Sequence, residues 1–393
     1  IMTHPALAEL LSYTMKQAGP AAERQGAFVC AYFENTDPDE IAARDPATLF
    51  AIANAHWRLL EKARPTHSAR IRVFNPTLAE DGFVSEHTVV QIVNENMPFL
   101  VDSVTMAINR SGRTAHWIVH PMMSVARDAQ GTVSEVSRFS VAAANHQKIP
   151  VESLILVECD RIVQADDLRA LASDLERVLG DVRGAVQDWS AILKRLEAAG
   201  QASTHSKLSD ESRQEGRDFL AWLQDRNFTF LGARDYDLKR DENGVSLVAR
   251  EGSGLGILRG EIRTAESRLP VEALSLVESD ELVLVTKAMT RATVHRPAWL
   301  DYIAVKRFGD DGEVVGEARF LGLYTSTAYS AHVSEIPQVR RRAAEVMINA
   351  GVVPDSHAAK SLESILDTYP RDELFQVDVA TLTEHTVGIL RLQ

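Results

Sequence analysis

The chain has 393 residues, is 45% hydrophobic and 25% charged, and carries a formal net charge of −13. This is an ordinary soluble composition long enough for several domains, and its acidic balance argues against nucleic acid and other polyanions as partners. No apolar run reaches the length of a membrane span and no charged-then-apolar leader opens the chain; Cys30 and Cys159, both in apolar runs, fit buried thiols in a reducing, cytoplasmic setting.

Residues 4–18 read as a short amphipathic helix with Leu7, Leu10, Leu11 and Met15 on one face, so that 1–26 forms an N-terminal helical segment. Phe28 to Phe33 reads as a strand. Asp37-Pro38 opens a helix, and a second one from Asp45 to Lys62 carries Leu49, Ile52, Trp57 and Leu60. His56 on that helix has no metal-binding side chain three or four residues on, and is read as structural. Ile71 to Phe74 is a strand that ends at Asn75-Pro76.

Thr88 to Val93 is a β-branched run, closed by the turn formers Asn94-Glu95-Asn96. Pro98 suits a first helical turn, after which Leu100, Val101, Val104, Ala107 and Ile108 share one face until Gly112. Apolar runs at Ala115–Val119 and Met122–Val125 make the order β-α-β-β. Leu154–Val157 adds a strand, and Asp166–Leu179 a helix with Leu171, Leu175 and Val178 on its stripe. The unit, placed over 27–165, resembles a ferredoxin-like βαββαβ ACT domain, with its last strand and helix in reverse order. Domains of that kind carry an Asp-x-Pro-Gly-like turn whose N–H groups hold an effector's carboxylate. The matching residues are Asn96, Met97, Pro98 and Phe99, with phenylalanine where glycine is usual. The resemblance makes an amino acid the candidate effector and Asn94, Asn96, Phe99, Asp102 and Ser103 the candidate ligand-binding residues.

Trp189–Leu196 continues a helical hairpin and Ala198–Lys207 reads as a linker, so 166–207 connects two domains. Asp210–Arg226 is a helix. Strands follow at Phe228–Leu238, Val245–Ala249, Leu282–Lys287, Ile303–Phe308 and Glu317–Leu323, with turns at Asn243-Gly244 and Asp311-Gly312. Residues 208–335 thus resemble a PAS-like mixed antiparallel-sheet module or a second ACT-like domain. From Ile336 helices return. The Arg340, Arg341 and Arg342 run reads as a solvated face, or functionally as a surface for an acidic partner of the same assembly. Thr386–Gln393 reads as a strand, making 336–393 a helical connector and the start of a further truncated α/β module. The fold class is α+β.

Gly252, Gly254, Gly256 and Gly260 match neither the dinucleotide nor the Walker spacing and read as a flexible loop. His295-Arg296-Pro297-Ala298-Trp299-Leu300-Asp301-Tyr302 combines a cation, aromatics and an acid, so Arg296 and Asp301 form a second candidate binding pair. In the structural alternative Trp299 and Tyr302 fill a core, and Asp301 pairs with Arg296 or caps backbone N–H groups. His116 and His120 are four apart, but strand alternation and Pro121 oppose a metal pair. No nucleophilic triad is visible, and no catalytic or metal residue is assigned.

Three stretches, Met97 to Val104, His295 to Phe308 and Tyr369 to Gln376, together resemble the N-terminal segment of the large bacterial NAD-dependent glutamate dehydrogenases. The resemblance implies a parent that oxidises L-glutamate to 2-oxoglutarate and ammonia with NAD, using a dinucleotide fold and glutamate-binding lysines that lie outside this chain. ACT-like and PAS-like modules build that N-terminal region. It implies a non-catalytic regulatory and oligomerisation role, with no cofactor in this chain and homo-oligomer contacts through the ACT-like modules. The alternative implied is an amino-acid-sensing allosteric module with a working ligand site.

Overall fold

A computed structural model describes residues 5–17, 19–139, 150–242, 244–260, 266–268 and 277–392. Helices and antiparallel sheets are both present, in two compact units: residues 1–183 with 293–296, and residues 184–292 with 297–393.

The first unit opens with helices α1 (Pro5–Gln17), α2 (Ala22–Phe33), α3 (Pro38–Ala42) and α4 (Pro46–Glu61). Asp37 and Asp45 accept backbone N–H groups at the starts of α3 and α4, each just before a proline that the first turn tolerates. The strand read at Phe28 to Phe33 is the second half of α2, which also runs across the boundary placed at residue 26. Helical spacing sets Phe28 and Tyr32 one turn apart, with ring centroids 5.7 Å apart, and brings Phe28 edge-on to Trp57 of α4 at 4.6 Å. Tertiary packing of these aromatics overrides their preference for a strand.

Next come β1 (Arg70–Phe74), α5 (Leu78–Asp81), β2 (Thr88–Glu95), α6 (Leu100–Arg110), β3 (Ala115–Val119), β4 (Met122–Arg127), β5 (Val133–Arg138) and β6 (Val151–Cys159). The sheet is antiparallel, in the order β1-β2-β6-β4-β5, with β3 also on β6. β3 pairs with the C-terminal half of β6 (Val119 opposite Leu156) and β4 with its start (Met122 opposite Ser153). The two act as one strand interrupted at His120-Pro121, where the proline cannot donate to the ladder. This gives the strand order of a ferredoxin-like sandwich, with one correction to the sequence reading. The outer strand is β1, supplied from before the unit and not from after its second helix. Val89, Val93, Leu154 and Leu156 pack with α2 and α4 into one buried cluster.

Helix α7 (Ala165–Ala202) follows as a single element of 38 residues. It replaces the hairpin and linker read over 166–207, and only Ser203–His205 forms a short 3-10 turn beyond it. The two units divide inside it, between Arg183 and Gly184. Gly184 does not break the helix; a Cβ there would stand 3.0 Å from the carbonyl oxygen of Gly256, so the glycine permits close packing.

The second unit contains α8 (Asp210–Trp222), β7 (Phe228–Asp241), β8 (Gly244–Ala249), β9 (Leu255–Gly256), β10 (Glu266–Arg268), β11 (Val283–Arg291), β12 (Trp299–Phe308) and β13 (Val314–Tyr324). They form one antiparallel sheet, ordered β10-β8-β7-β13-β12-β11, with β9 beside β7. Phe219, Phe230, Ile303, Phe320 and Leu362 belong to its buried core. Five helices follow: α9 (Ser326–Ser330), α10 (Val339–Asn349), α11 (His357–Thr368), α12 (Arg371–Gln376) and α13 (Val379–Leu392). The strand read over Thr386–Gln393 is therefore corrected to helix through Leu392, and no further α/β module opens there among the described residues. Thr386 is buried and satisfies its hydroxyl one turn back, donating to Leu382 O at 2.8 Å. Among the described residues no helix is long and apolar enough to cross a membrane.

Candidate functional site

The turn from β2 into α6 is tied down from both sides. Asn94 is buried, donates to Glu95 O at 2.8 Å and accepts from Arg183 at 3.2 Å. Asn96 donates its backbone N–H to Val151 O at 2.9 Å and accepts the Ser153 hydroxyl at 2.8 Å. The same Ser153 oxygen lies 3.1 Å from His120 Nε2.

Phe99 caps α6 with a left-handed φ of +71° and no side-chain cap hydrogen bond. A bulky residue rarely adopts that conformation, which explains why the related turn carries glycine and why Pro98 stands outside the helix. Ser103 is buried; its N–H reaches Phe99 O at 3.0 Å, and its Oγ accepts the N–H of His295 at 3.2 Å. The His295 ring lies on Phe99 with centroids 5.0 Å apart, and the neighbouring Thr293 hydroxyl donates to Asp181 at 2.7 Å. Burial lowers the His295 imidazole pKa and the Arg296 charge adds to this, while the exposed Asp102 opposes both.

The structure thus gathers Asn94, Asn96, Phe99, Asp102 and Ser103 around one turn, as their sequence positions suggest, and adds His295, which the sequence reading passed over. Its signal was the stretch that drew attention to Arg296. The position that carries glycine in the resembled turn is thus held here by Phe99, with the His295 ring lying on it.

Arg296 is not among the partners of Asp301; Arg296 counts with the first unit and Asp301 with the second. Asp301 is buried there, paired with Lys287, and accepts the N–H of Tyr324 at 3.2 Å. Burial raises its carboxyl pKa against the pull of Lys287. Of the two structural roles the sequence allowed, backbone capping is observed, with Lys287 in place of Arg296.

The glycine loop is packed, which corrects the reading of it as flexible. Asp188 accepts the Gly256 N–H at 2.8 Å and the Arg259 Nε–H at 2.9 Å, leaving no open cradle for phosphate at Gly256. The arginine run is likewise not a solvated face. Arg340 pairs with Glu215 and Asp218 (2.8 Å to the latter), Arg341 donates to Ser212 at 3.0 Å, and Arg342 donates to Val377 O at 3.0 Å. Together they fasten α10 to α8 and to the end of α12.

His116 sits 2.6 Å from Asp160 while His120 turns to Ser153, so the two histidines share no ligand. Among the described residues no group of three or more His, Cys, Asp or Glu side chains could hold a metal ion. Cys30 is half-buried and Cys159 buried; burial raises both thiols, Cys159 to about 11, which favours the protonated form at neutral pH.

Residues 28–175 match the family model described as glutamate dehydrogenase, ACT1 domain, and residues 336–393 that described as glutamate dehydrogenase, helical motif 1. The chain is 34% identical to the NAD-specific glutamate dehydrogenase of Halomonas elongata over 362 residues, covering 90% of this chain and 22% of that protein. The Pseudomonas aeruginosa enzyme of the same name is 34% identical over 369 residues, covering 92% and 22%. That of Mycobacterium tuberculosis is 31% identical over 345 residues, covering 86% and 20%. The chain spans about a fifth of the length of the curated relatives it matches.

Proposed function

With the chain belonging to the NAD-specific glutamate dehydrogenase family through its ACT1 domain and helical motif 1, we propose that it is a non-catalytic regulatory and oligomerisation segment of such an enzyme. The parent would be cytoplasmic and would convert L-glutamate, NAD and water to 2-oxoglutarate, ammonia and NADH. Dinucleotide and substrate chemistry would then belong to the roughly four fifths of the relatives that this chain does not match. The second unit serves as a PAS-like or second ACT-like module in this reading.

The carrying observation is the closed turn at α6. Phe99 stands where an ACT-type turn carries glycine, the His295 ring lies on it, and Ser103 Oγ accepts from the His295 N–H. That favours contact between subunits over amino-acid sensing. β1, a strand of five residues with one strand neighbour among the described residues, supplies a backbone edge that a second copy could extend.

Sedimentation equilibrium over a range of concentrations, with a thermal-shift screen against the common amino acids at millimolar level, tests the proposal. Concentration-dependent self-association and no saturable shift are expected. A monomer at every concentration would remove the oligomerisation role. A saturable shift that disappears in Ser103→Ala would replace it with a sensor, and glutamate-dependent NADH absorbance would make the chain an enzyme in its own right.

A further inference from the structure

Helix α13 packs into the second unit with one face and leaves the other uncovered among the described residues. Leu382 and Thr386 turn inward and are buried, whereas Ala380, Glu384, Gly388 and Arg391 are exposed and Val387 is half-buried. These last five recur at helical spacing and line an open groove of about 1040 Å³, which Asn349 and Ala350 at the end of α10 and Tyr369 after α11 also line.

Gly388 sits in the interior of the helix, where glycine is unfavourable, and a Cβ added there would have no heavy atom within 4 Å. Among the described residues, then, no packing within the chain calls for a glycine at that position. Leu392, at the end of the same helix, is 89% exposed. Glu384 and Arg391 have no ion-pair partner among the described residues, and they stand about two turns apart on α13.

That spacing makes the face complementary to itself. Glu384 and Arg391 lie equally far, about one turn, on either side of the midpoint between Val387 and Gly388. When two copies of α13 run antiparallel about a two-fold axis through that midpoint, Glu384 of each copy meets Arg391 of the other, so two ion pairs form at once. Val387 of each copy then meets Gly388 of the other, where the missing side chain lets the helices approach closely. A parallel pairing would instead set Glu384 against Glu384 and Arg391 against Arg391.

We propose that the exposed face of α13 is a docking surface for a second copy of this chain, which joins it through its own α13 in an antiparallel, two-fold pair. The proposal rests on the oligomeric reading above and names a face for it other than the edge of β1. The charge pattern selects the occupant, because an isologous contact needs a surface that matches itself.

Sedimentation equilibrium of the whole chain with charge reversals tests the surface. Glu384→Lys and Arg391→Glu should each weaken self-association roughly tenfold, since either change sets like charges against each other at two places across the axis. The double variant should restore association, because both pairs re-form with their signs exchanged. Gly388→Leu should weaken association too, while its thermal midpoint in dilute solution is no lower than that of the wild type; the added side chain has open space in one chain and none between two. Self-association that none of these changes alters, or a double variant as weak as the single ones, overturns the α13 surface. The oligomeric reading then passes to another face, and α13 is left to some other partner. A wild-type chain that stays monomeric at every concentration removes both.

Discussion

The hydroxyl of Tyr32 lies 2.7 Å from Nδ1 of His56, while Nε2 of the same ring lies 3.0 Å from Ile92 O. Both side chains are buried. The ring is neutral: Nε2–H donates to the carbonyl, and Nδ1 accepts from the tyrosine, so protonation would reverse the second bond and leave the buried tyrosine O–H without its acceptor. Burial lowers the imidazole pKa to about 4 from an unfolded value of 6.5, with the bond to Ile92 O opposing. Between those pH values the unfolded chain binds a proton that the folded chain does not. The contribution to stability is therefore complete above 6.5 and is lost as pH falls toward 4. The loss amounts to about 3 kcal/mol at ~1.4 kcal/mol per unit. Urea unfolding of the wild type and of His56→Gln across this window checks it. The wild type should lose stability more steeply, and parallel curves would show that His56 does not titrate as stated.

Lys306 has the same sign of pH dependence in a higher window. Its side chain is buried, and Nζ donates to Ser279 O at 2.6 Å and lies 3.2 Å from Ser279 Oγ. Burial lowers its pKa to about 8 from 10.5, against the attraction of Glu281 and Asp280. The unfolded chain holds the proton through that interval after the folded chain has released it, so stability rises with pH between about 8 and 10.5. Lys306→Met should abolish this rise. A difference in unfolding free energy between variant and wild type that stays constant from pH 7.5 to ~10 would sink the assignment.

How much of this was legible follows from the range over which each choice is made. β2, α6, β3 and β4 were readable because their apolar periods are local, and the same holds for β7, β8, β11, β12 and β13 of the second unit. Phe28 to Phe33 misled because its aromatics suit a strand until Trp57, on another helix, is there to receive them. The glycines of α7 look like breakers until Gly184 meets the backbone of Gly256, and Thr386 looks extended until it is seen to bond Leu382. At the turn, positions 94 to 103 could be grouped by sequence, whereas His295 arrives from almost two hundred residues away.

Glu152 serves two cations, Arg64 at 2.7 Å and Arg127 through a two-pronged contact at 2.7 and 2.9 Å. Its side chain is 1% exposed, so neither arginine can turn to water if the carboxylate is lost. Glu152→Gln should destabilise the chain by about 3–5 kcal/mol, the range found when one partner of a buried ion pair is removed. Arg127→Met with Glu152→Met in the same chain should cost less than the single glutamate change, because it leaves fewer unmatched charges. Chemical denaturation gives both values. A loss below ~1 kcal/mol for Glu152→Gln would show that water reaches the cluster.

Gly256 tests whether the glycine loop is packed or free. Its φ is +61°, and a Cβ added there would come within 2.1 Å of Leu231 O, a backbone atom that cannot move aside cheaply. Gly260, four residues on, has no heavy atom within 4 Å of where its Cβ would stand and no positive φ. A flexible loop would tolerate alanine at both positions. A loop clamped by Asp188 and β7 should tolerate it only at the second. Gly256→Ala is expected to cost more than about 2 kcal/mol from strain and overpacking combined. Gly260→Ala should stay within about 1 kcal/mol of the wild type. Thermal unfolding of the two variants side by side decides the matter, because the residue change is identical and only the surroundings differ. Equal midpoints would return the segment to the flexible-loop reading, and with it the question of whether its N–H groups are open to a phosphate.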